Sequence, residues 1–348
     1  MTKTPELTRV LTGDTPTGRL HLGHYVGSIE NRLALQNEHE CFFLLANMHA
    51  FTTRADRTEE IRADTIEIVR DWLACGIDPD VSTIVLQTEV PAIAELTWYF
   101  AMLIPFNRVM RNPTLKTEID TKDLGDTYSF GFPMYAVGQC ADILVFRPTY
   151  VPVGEDQVAH IEMCREVARR FDQLYCGVSP HAEDADFVKE GGVFPIPEAL
   201  IGKVGRLVGV DGTHKMSKSL GNAIFLTDTP KQVKKKVGRI FTGRQSPTEP
   251  GTVEGNPLFQ YVETFIKDEQ RIAELKEKYA KGENIGDGHI KVEVADAISE
   301  LLEPIRERRA RYEGESGADE VIDIIRAGTQ RANEVAEETL WMAKESMN

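Results

Sequence analysis

Arg9-Val10-Leu11-Thr12-Gly13-Asp14-Thr15-Pro16-Thr17-Gly18-Arg19-Leu20-His21-Leu22-Gly23-His24 begins as an apolar run, breaks at Gly13-Asp14, and resumes as an amphipathic pattern. Residues 9–12 read as a strand and residues 20–36 as the helix that follows it. The unit recurs: residues 41–46 and 83–87 are further buried strands, and residues 58–75 have helical periodicity with Thr58 as N-cap. Another helix starts at Pro91, a favourable first helical position. Strands separated by helices of this length imply an α/β fold whose parallel sheet is built from right-handed crossovers.

Further along, residues 112–133 are polar and contain glycine, and read as a long functional loop. Helix follows over 135–146, a short strand over 150–153 and a long helix over 155–175. After Asn222 strand signals nearly vanish, and charged helical segments cover 230–240, 258–280, 290–313 and 318–347, with a connector at 283–288. A chain of 348 residues has room for two domains. The division expected is 1–221 and 222–348, the second all-helical, with its last helix packing back on the first domain.

The composition is that of an ordinary soluble globular protein, with no apolar stretch of membrane length and no signal-peptide core in MTKTPELTRV, so a cytoplasmic protein is expected. Five cysteines (Cys41, Cys75, Cys140, Cys164, Cys176) form no CxxC pair, which points to reduced core thiols rather than a zinc or iron–sulfur site. The net charge of −15 argues against a broadly basic nucleic-acid binder. RNA binding then needs a local patch, and two runs qualify: residues 231–244 (Lys231, Lys234, Lys235, Lys236, Arg239, Arg244) and Arg306, Arg308, Arg309, Arg311. Charge runs are more often solvated helix faces.

Pro16 to His24 opens the first helix, where free N–H groups and the positive dipole end favour phosphate. His21 and His24, three apart, share a helix face and can donate to phosphate oxygens as charge develops, while Gly23 leaves room for a flat base. Taken alone, the two histidines are as well read as surface residues. Lys215-Met216-Ser217-Lys218-Ser219 carries two flexible point charges on a glycine-flanked loop, suited to a clamp that binds and releases phosphates. Alone, it reads as a solvated loop. Tyr135, Gln139 and Asp142 fall at i, i+4 and i+7, so one helix face presents all three.

HLGH followed far downstream by KMSKS resembles the paired signature of class I aminoacyl-tRNA synthetases. The Val151-Pro152-Val153-Gly154-Glu155-Asp156-Gln157, His160-Ile161-Glu162, Arg169-Arg170-Phe171, and Ala199-Leu200-Ile201 to Lys203-Val204-Gly205 segments resemble the bacterial tryptophan branch. The resemblance implies a Rossmann-like doubly wound sheet with a helical anticodon-binding domain, and an enzyme that joins tryptophan to tRNA with ATP and Mg²⁺. It implies catalytic roles for His21, His24, Lys215 and Lys218. It further implies ATP contacts from Thr15, Pro16, Thr17, Gly23, Gly154, Glu155, Asp156, Met216, Ser217 and Ser219, an adenine-packing Leu207 or Val208, and a phosphate-binding Lys116. The amino-acid pocket implied is Asp142, as acceptor for the indole N–H, with Gln139, Tyr135, His49, Val151, Val153 and Leu11. For His49 a satisfied core histidine is the competing reading. No dedicated protein metal cage is expected. A homodimer is implied, with no membrane or DNA partner.

The chain departs from the bacterial pattern at Gln139 (usually Met), Asn47-Met48 (usually Asp-Gln) and Leu11 (usually aromatic). These departures keep in view a tyrosine-specific sister enzyme and a paralogue that binds RNA or regulates a partner; a third rival, sharing the HxGH helix and sheet, is a simple nucleotidyltransferase. The last has no need of the KMSKS loop.

Overall fold

The computed structural model describes residues 8–121, 125, 127–201, 207–244, 246, 248–283 and 285–348, with only the backbone of Thr121 and Asp156. Lys203, Val204 and Gly205 lie outside the described residues. Five strands, β1 (Arg9–Asp14), β2 (Glu40–Leu45), β3 (Ser82–Leu86), β4 (Tyr150–Val153) and β5 (Glu198–Ile201), form one parallel sheet in the order β3-β2-β1-β4-β5. Neighbours along each strand face opposite ways. Val10, Phe43 and Ile84 enter a core with Trp72 that continues into the C-terminal helices at Leu258, Tyr261 and Ile298. Leu11, Phe42 and Val85 enter the opposite core with Phe100, Val151 and Phe171. The sheet is therefore covered on both faces, and its strand order reverses between β1 and β4. In such sheets ligands bind in the crevice at the carboxyl ends of the strands at that reversal.

Several expected boundaries shift. β1 runs on through Gly13-Asp14 because a Cβ on Gly13 would stand only 2.7 Å from the Leu44 carbonyl oxygen. The helix expected over 20–36 is interrupted: Leu22–His24, a π-helical turn at Tyr25–Ile29, then Glu30–Leu35. Thr58 is the first residue of helix Thr58–Cys75, not its N-cap, and Gly76 closes the helix in the left-handed region at φ 111°.

The stretch read as a loop over 112–133 holds a helix, Pro113–Thr121, started by proline and by Asn112, whose Oδ1 accepts from Thr114 N–H at 3.0 Å. Helix Gly131–Leu144 follows. The helix expected over 155–175 is a 3₁₀ turn (Glu155–Gln157), an α-helix (Val158–Phe171) and a π-turn (Asp172–Cys176). β5 had no counterpart in the reading of the sequence.

Beyond Asn222 the helices are Pro230–Val237, Pro257–Phe265, Glu269–Lys281, Asp287–Ala310 and Gly314–Met347. The helix expected over 258–280 divides where Asp268 accepts from the N–H groups of Gln270 and Arg271 and starts a new one. The last helix lies along the edge strand β3. Gly328 lets it approach the Ile84 backbone, and Thr329 Oγ1 accepts the Leu86 N–H at 3.0 Å, so a helix blocks further strand pairing at that edge. All five cysteines are free, and among the described residues no helix is long and apolar enough to cross a membrane.

Candidate active site

The two phosphate-directed motifs meet at the end of β1. Met216 is buried, and a Cβ on Gly23 would stand 3.4 Å from that of Met216. Lys218 Nζ donates to the Thr17 carbonyl oxygen at 2.6 Å and lies 3.2 Å from its hydroxyl. Residues that sequence puts far apart thus form one wall: Thr15 exposed, Pro16 buried, Thr17 under Lys218, then His21, Gly23 and His24. Lys215 and Ser219 are exposed, and Ser217 is half-buried with its hydroxyl 2.9 Å from that of Ser219.

The loop is held by Asn222, which is almost wholly buried. Its Oδ1 accepts the Ser217 N–H at 2.7 Å, and its Nδ2 donates to Lys215 O and Asp211 Oδ2. Leu207 O also frames the loop, accepting from Met216 N–H at 3.0 Å, but the Leu207 side chain is buried in the core. Val208, the other candidate for packing on adenine, is partly exposed. Gly154 and Glu155 are exposed at the carboxyl end of β4, Asp156 follows them in the same turn, and Lys116 stands exposed on helix Pro113–Thr121.

The His21 and His24 rings stack tilted, 3.7 Å between centroids. Burial pushes the His21 imidazole down to about 3, with the charges of His24, Lys218 and Lys215 adding to the shift. It pushes His24 down to about 4 against the pull of the Asp14 carboxylate. Both rings are neutral at pH 7. His24 Nδ1 accepts from the His21 backbone N–H at 3.2 Å, so its proton sits on Nε2, which is left as a donor.

On the other side of the reversal, the helix Gly131–Leu144 carries Tyr135, Gln139 and Asp142. Asp142 is buried, and both its oxygens are held: His49 Nε2 donates to Oδ2 at 2.6 Å and Gln87 Nε2 to Oδ1 at 2.7 Å. His49 fits here because Gly138, a turn before Asp142, has no side chain; a Cβ there would stand 3.3 Å from the His49 ring. Tyr135 meets His49 edge-on at 5.8 Å and lies 5.7 Å from the ring of His160. Leu11 and Val151 are buried beneath, Val153 is partly buried beside them, and Gln139 is half-buried. A buried carboxylate thus sits among apolar and aromatic side chains, across the strand-order reversal from the phosphate-directed groups. A family model described as tRNA synthetases class I (W and Y) matches residues 3–303.

The chain belongs to the class I tRNA synthetases. The synthetase is 44% identical over 343 residues to the tryptophan–tRNA ligase of Treponema pallidum, covering 97% of this chain and 96% of that protein. It is 43% identical over 347 residues to that of Streptococcus mutans, covering 97% of each. The crystal structure of tryptophanyl-tRNA synthetase from Campylobacter jejuni complexed with ADP and tryptophan matches it with a TM-score of 0.81 at 30% identity, over 97% of this chain and 98% of that one.

Three residues of the synthetase's site were not found from sequence. Gln87 is buried; it donates to Asp142 and accepts the Met48 N–H at 2.9 Å on its Oε1. Its signal is a lone amide closing an apolar strand. Asn222 is signalled only by its place after the KMSKS loop. Arg32, buried on the helix that follows His24, pairs with Asp14 at 2.9 Å and lies over Trp72 and Phe43. Its signal is a single arginine among apolar neighbours.

The second arginine cluster is engaged with the chain's own acceptors, and of its four members only Arg308 and Arg311 are exposed. Arg306 donates to Asp228 O, Arg308 to Ala74 O, Arg309 is buried among carboxylates, and Arg311 pairs with Glu320. In the first run Arg244 is buried against Asp287 and Tyr279, and Lys236 pairs with Asp228. Lys231, Lys234, Lys235 and Arg239 are left exposed.

The buried histidines fix an acid response. Their folded pKa values lie below the ordinary value near 6.5, so between pH 6.5 and about 4 the unfolded chain binds protons that the folded one does not. Stability therefore falls as pH drops through that window, by up to about 1.4 kcal/mol per pH unit for each histidine. Thermal melts at pH 7 and 4.5 are expected to show a smaller drop in Tm for His21→Asn/His24→Asn than for the wild type. Equal drops would contradict the burial argument.

Proposed function

We propose that the enzyme is a tryptophan–tRNA ligase working in two steps, with residues 1–221 binding ATP and tryptophan and the helical residues 222–348 reading the anticodon. The observation that carries this reading is the buried Asp142 carboxylate, held on both oxygens among apolar and aromatic side chains, together with the converged HLGH and KMSKS motifs across the strand-order reversal. A carboxylate oxygen has two acceptor directions, so Asp142 accepts an indole N–H in addition to His49 and Gln87. Leu11, Val151 and Val153 wall the ring, and Tyr135 and Gln139 face the amino-acid end.

In the first step the tryptophan carboxylate attacks the α-phosphorus of ATP, forming the adenylate and releasing pyrophosphate. His24 Nε2–H donates to the α-phosphate oxygen, with His21 beside it, and Lys215 and Lys218 bind the leaving phosphates. Thr15, Pro16, Thr17, Gly23, Gly154, Glu155, Asp156 and the loop residues Met216, Ser217 and Ser219 enclose the nucleotide, with Val208 nearer than Leu207 to the adenine. In the second step the 3′-terminal ribose hydroxyl of tRNA attacks the adenylate carbonyl, the acyl–phosphate bond breaks, and the aminoacyl ester forms as AMP leaves with the hydroxyl proton passing to its phosphate or to water. No protein nucleophile is needed, so the chain's contribution is positioning and charge stabilisation.

Among the described residues no three His, Cys, Asp or Glu side chains are grouped to hold a metal. Mg²⁺ would arrive with the nucleotide, held mainly by phosphate oxygens and water, and would neutralise phosphate charge there. Lys231, Lys234, Lys235 and Arg239 are the exposed cations for tRNA phosphates, giving salt-dependent affinity. Trp98 and Met102 on the last turns of helix Pro91–Leu103 and Phe106 at the start of the next helix are exposed at 62%, 75% and 60%, which supports a homodimer through those side chains. A cytoplasmic site of action accompanies this reading.

Amino-acid-dependent exchange of pyrophosphate into ATP tests it without tRNA. Exchange with tryptophan is expected at least about 10⁴-fold above that with tyrosine or phenylalanine, as for a site built around one buried hydrogen bond. Exchange only with tyrosine, or none, would overturn the assignment.

A further inference from the structure

We infer that Asp71, held by Arg309 of the C-terminal helical segment, is a positioning residue that sets the HLGH backbone for catalysis. The inference rests on the adenylation reading above. Asp71 lies near the end of helix Thr58–Cys75 and is wholly buried. Its Oδ2 accepts the backbone N–H of Leu20, the residue before His21, at 2.6 Å. Its Oδ1 accepts from Arg309 Nε at 2.7 Å.

Arg309 is itself only 4% exposed and sits in the last turn of helix Asp287–Ala310. It also pairs with Glu67 at 2.6 Å and with Glu313, while the neighbouring Arg308 Nε donates to Ala74 O at 2.6 Å. Glu67 in turn receives Arg19 Nε at 3.2 Å. One buried guanidinium thus joins the C-terminal helices to the two residues that lead into His21.

The segment Leu20–Leu22 is held from two sides. The 222–226 stretch supplies main-chain bonds, Leu226 N–H to Leu20 O at 3.1 Å and Leu22 N–H to Ile224 O at 2.9 Å. The His21 N–H goes to the His24 ring within the turn, and the Leu20 N–H is held by a side chain from outside it, Asp71. That is the bond that fixes how the first turn leaves the loop, and so where the His24 donor points.

Stability alone does not account for such a pair. Burying an aspartate and an arginine costs more desolvation than burying two apolar residues of the same size, so an apolar pair would hold these helices at least as well. What an apolar pair lacks is an acceptor for Leu20.

The test compares two double variants that both remove the buried ion pair. Asp71→Leu/Arg309→Met fills the space and deletes the acceptor. Asp71→Asn/Arg309→Met fills the space and keeps a carbonyl oxygen for Leu20 N–H. In tryptophan-dependent pyrophosphate exchange the Leu variant is expected to lose roughly tenfold or more in kcat, through displaced catalytic groups, with KM for tryptophan within about twofold. The Asn variant is expected to recover to within about threefold of the wild-type kcat. Equal kcat in the two variants, whether high or low, would overturn the inference.

Hydrogen exchange at the Leu20 amide provides a second measurement. It is expected to be slow in the wild type and in Asp71→Asn/Arg309→Met, and fast in Asp71→Leu/Arg309→Met. Should either variant fail to fold, the wild-type amide decides alone: exchange at the rate of a surface amide would overturn the inference. Absence of exchange activity in the wild type would instead refute the adenylation reading, and the amide rates would still decide the positioning one.

Discussion

Lys218→Ala is expected to lower kcat for tryptophan-dependent pyrophosphate exchange by about 10²–10³-fold, the range for removing one preorganised charge from a transition state. KM for tryptophan should stay within about threefold, because the residue lies on the nucleotide side of the crevice. The Lys218 ammonium rests against Thr17. It is half-buried and donates to the Thr17 carbonyl oxygen at 2.6 Å, and burial lowers its pKa while the carboxylates of Asp64, Asp71 and Asp14 pull it back up. A hydrogen bond to a neutral carbonyl is a weak hold for a cation of this kind; phosphate oxygens offer a charge-assisted one. Lys218 is therefore expected to exchange Thr17 for the triphosphate when ATP enters, its loop being anchored through Asn222. A purely structural latch on Thr17 predicts a different result: lower Tm and weaker ATP binding, with kcat nearly unchanged. Separate measurement of kcat, KM for ATP and Tm distinguishes the two, and an unchanged kcat would remove Lys218 from the catalytic set.

The parts of this molecule that were legible in the sequence are those written locally. β1 to β4 are apolar runs bounded by turn residues and were placed to within two residues at each end. The two phosphate motifs are contiguous, so their residues could be named before their meeting place was known. β5 was missed because Glu198–Ile201 is four residues long and mostly exposed, with no alternation to mark a face. Helix Pro113–Thr121 was read as loop because its outer surface is polar, although Asn112-Pro113 is itself a helix start. What stayed hidden is long-range pairing. Gln87 matters through Asp142, 55 residues away, and Arg309 through Asp71, 238 residues away. A run of arginines looks the same in sequence whether it meets RNA or buried carboxylates. Here Arg306, Arg308, Arg309 and Arg311 meet the chain's own acceptors, with Arg309 buried, whereas Lys231, Lys234, Lys235 and Arg239 stand exposed.

Asp142→Ala is expected to lower kcat/KM for tryptophan by about 10²–10³-fold, chiefly through KM, since an indole N–H buried without an acceptor loses its full hydrogen bond. The preference for tryptophan over phenylalanine should narrow by about 10–100-fold, because phenylalanine never made that bond. Part of the loss has another source. His49 Nε2 and Gln87 Nε2 both donate to Asp142, at 2.6 and 2.7 Å, and the substitution strands both donors in a buried pocket. Each stranded donor costs about 1–3 kcal/mol, which falls on the empty enzyme as well as on the complex and so appears as a lower Tm. Gln87→Leu separates the two contributions: it removes one donor, leaves the carboxylate in place, and is expected to weaken tryptophan binding by about tenfold through looser positioning of Asp142. Pyrophosphate exchange measured with tryptophan and phenylalanine, alongside melting curves, reads all of these quantities. If Asp142→Ala lowers Tm but leaves the ratio of kcat/KM for the two amino acids unchanged, the carboxylate serves only His49 and Gln87. Recognition of the indole would then fall to Gln139, the half-buried amide one turn earlier on the same helix face.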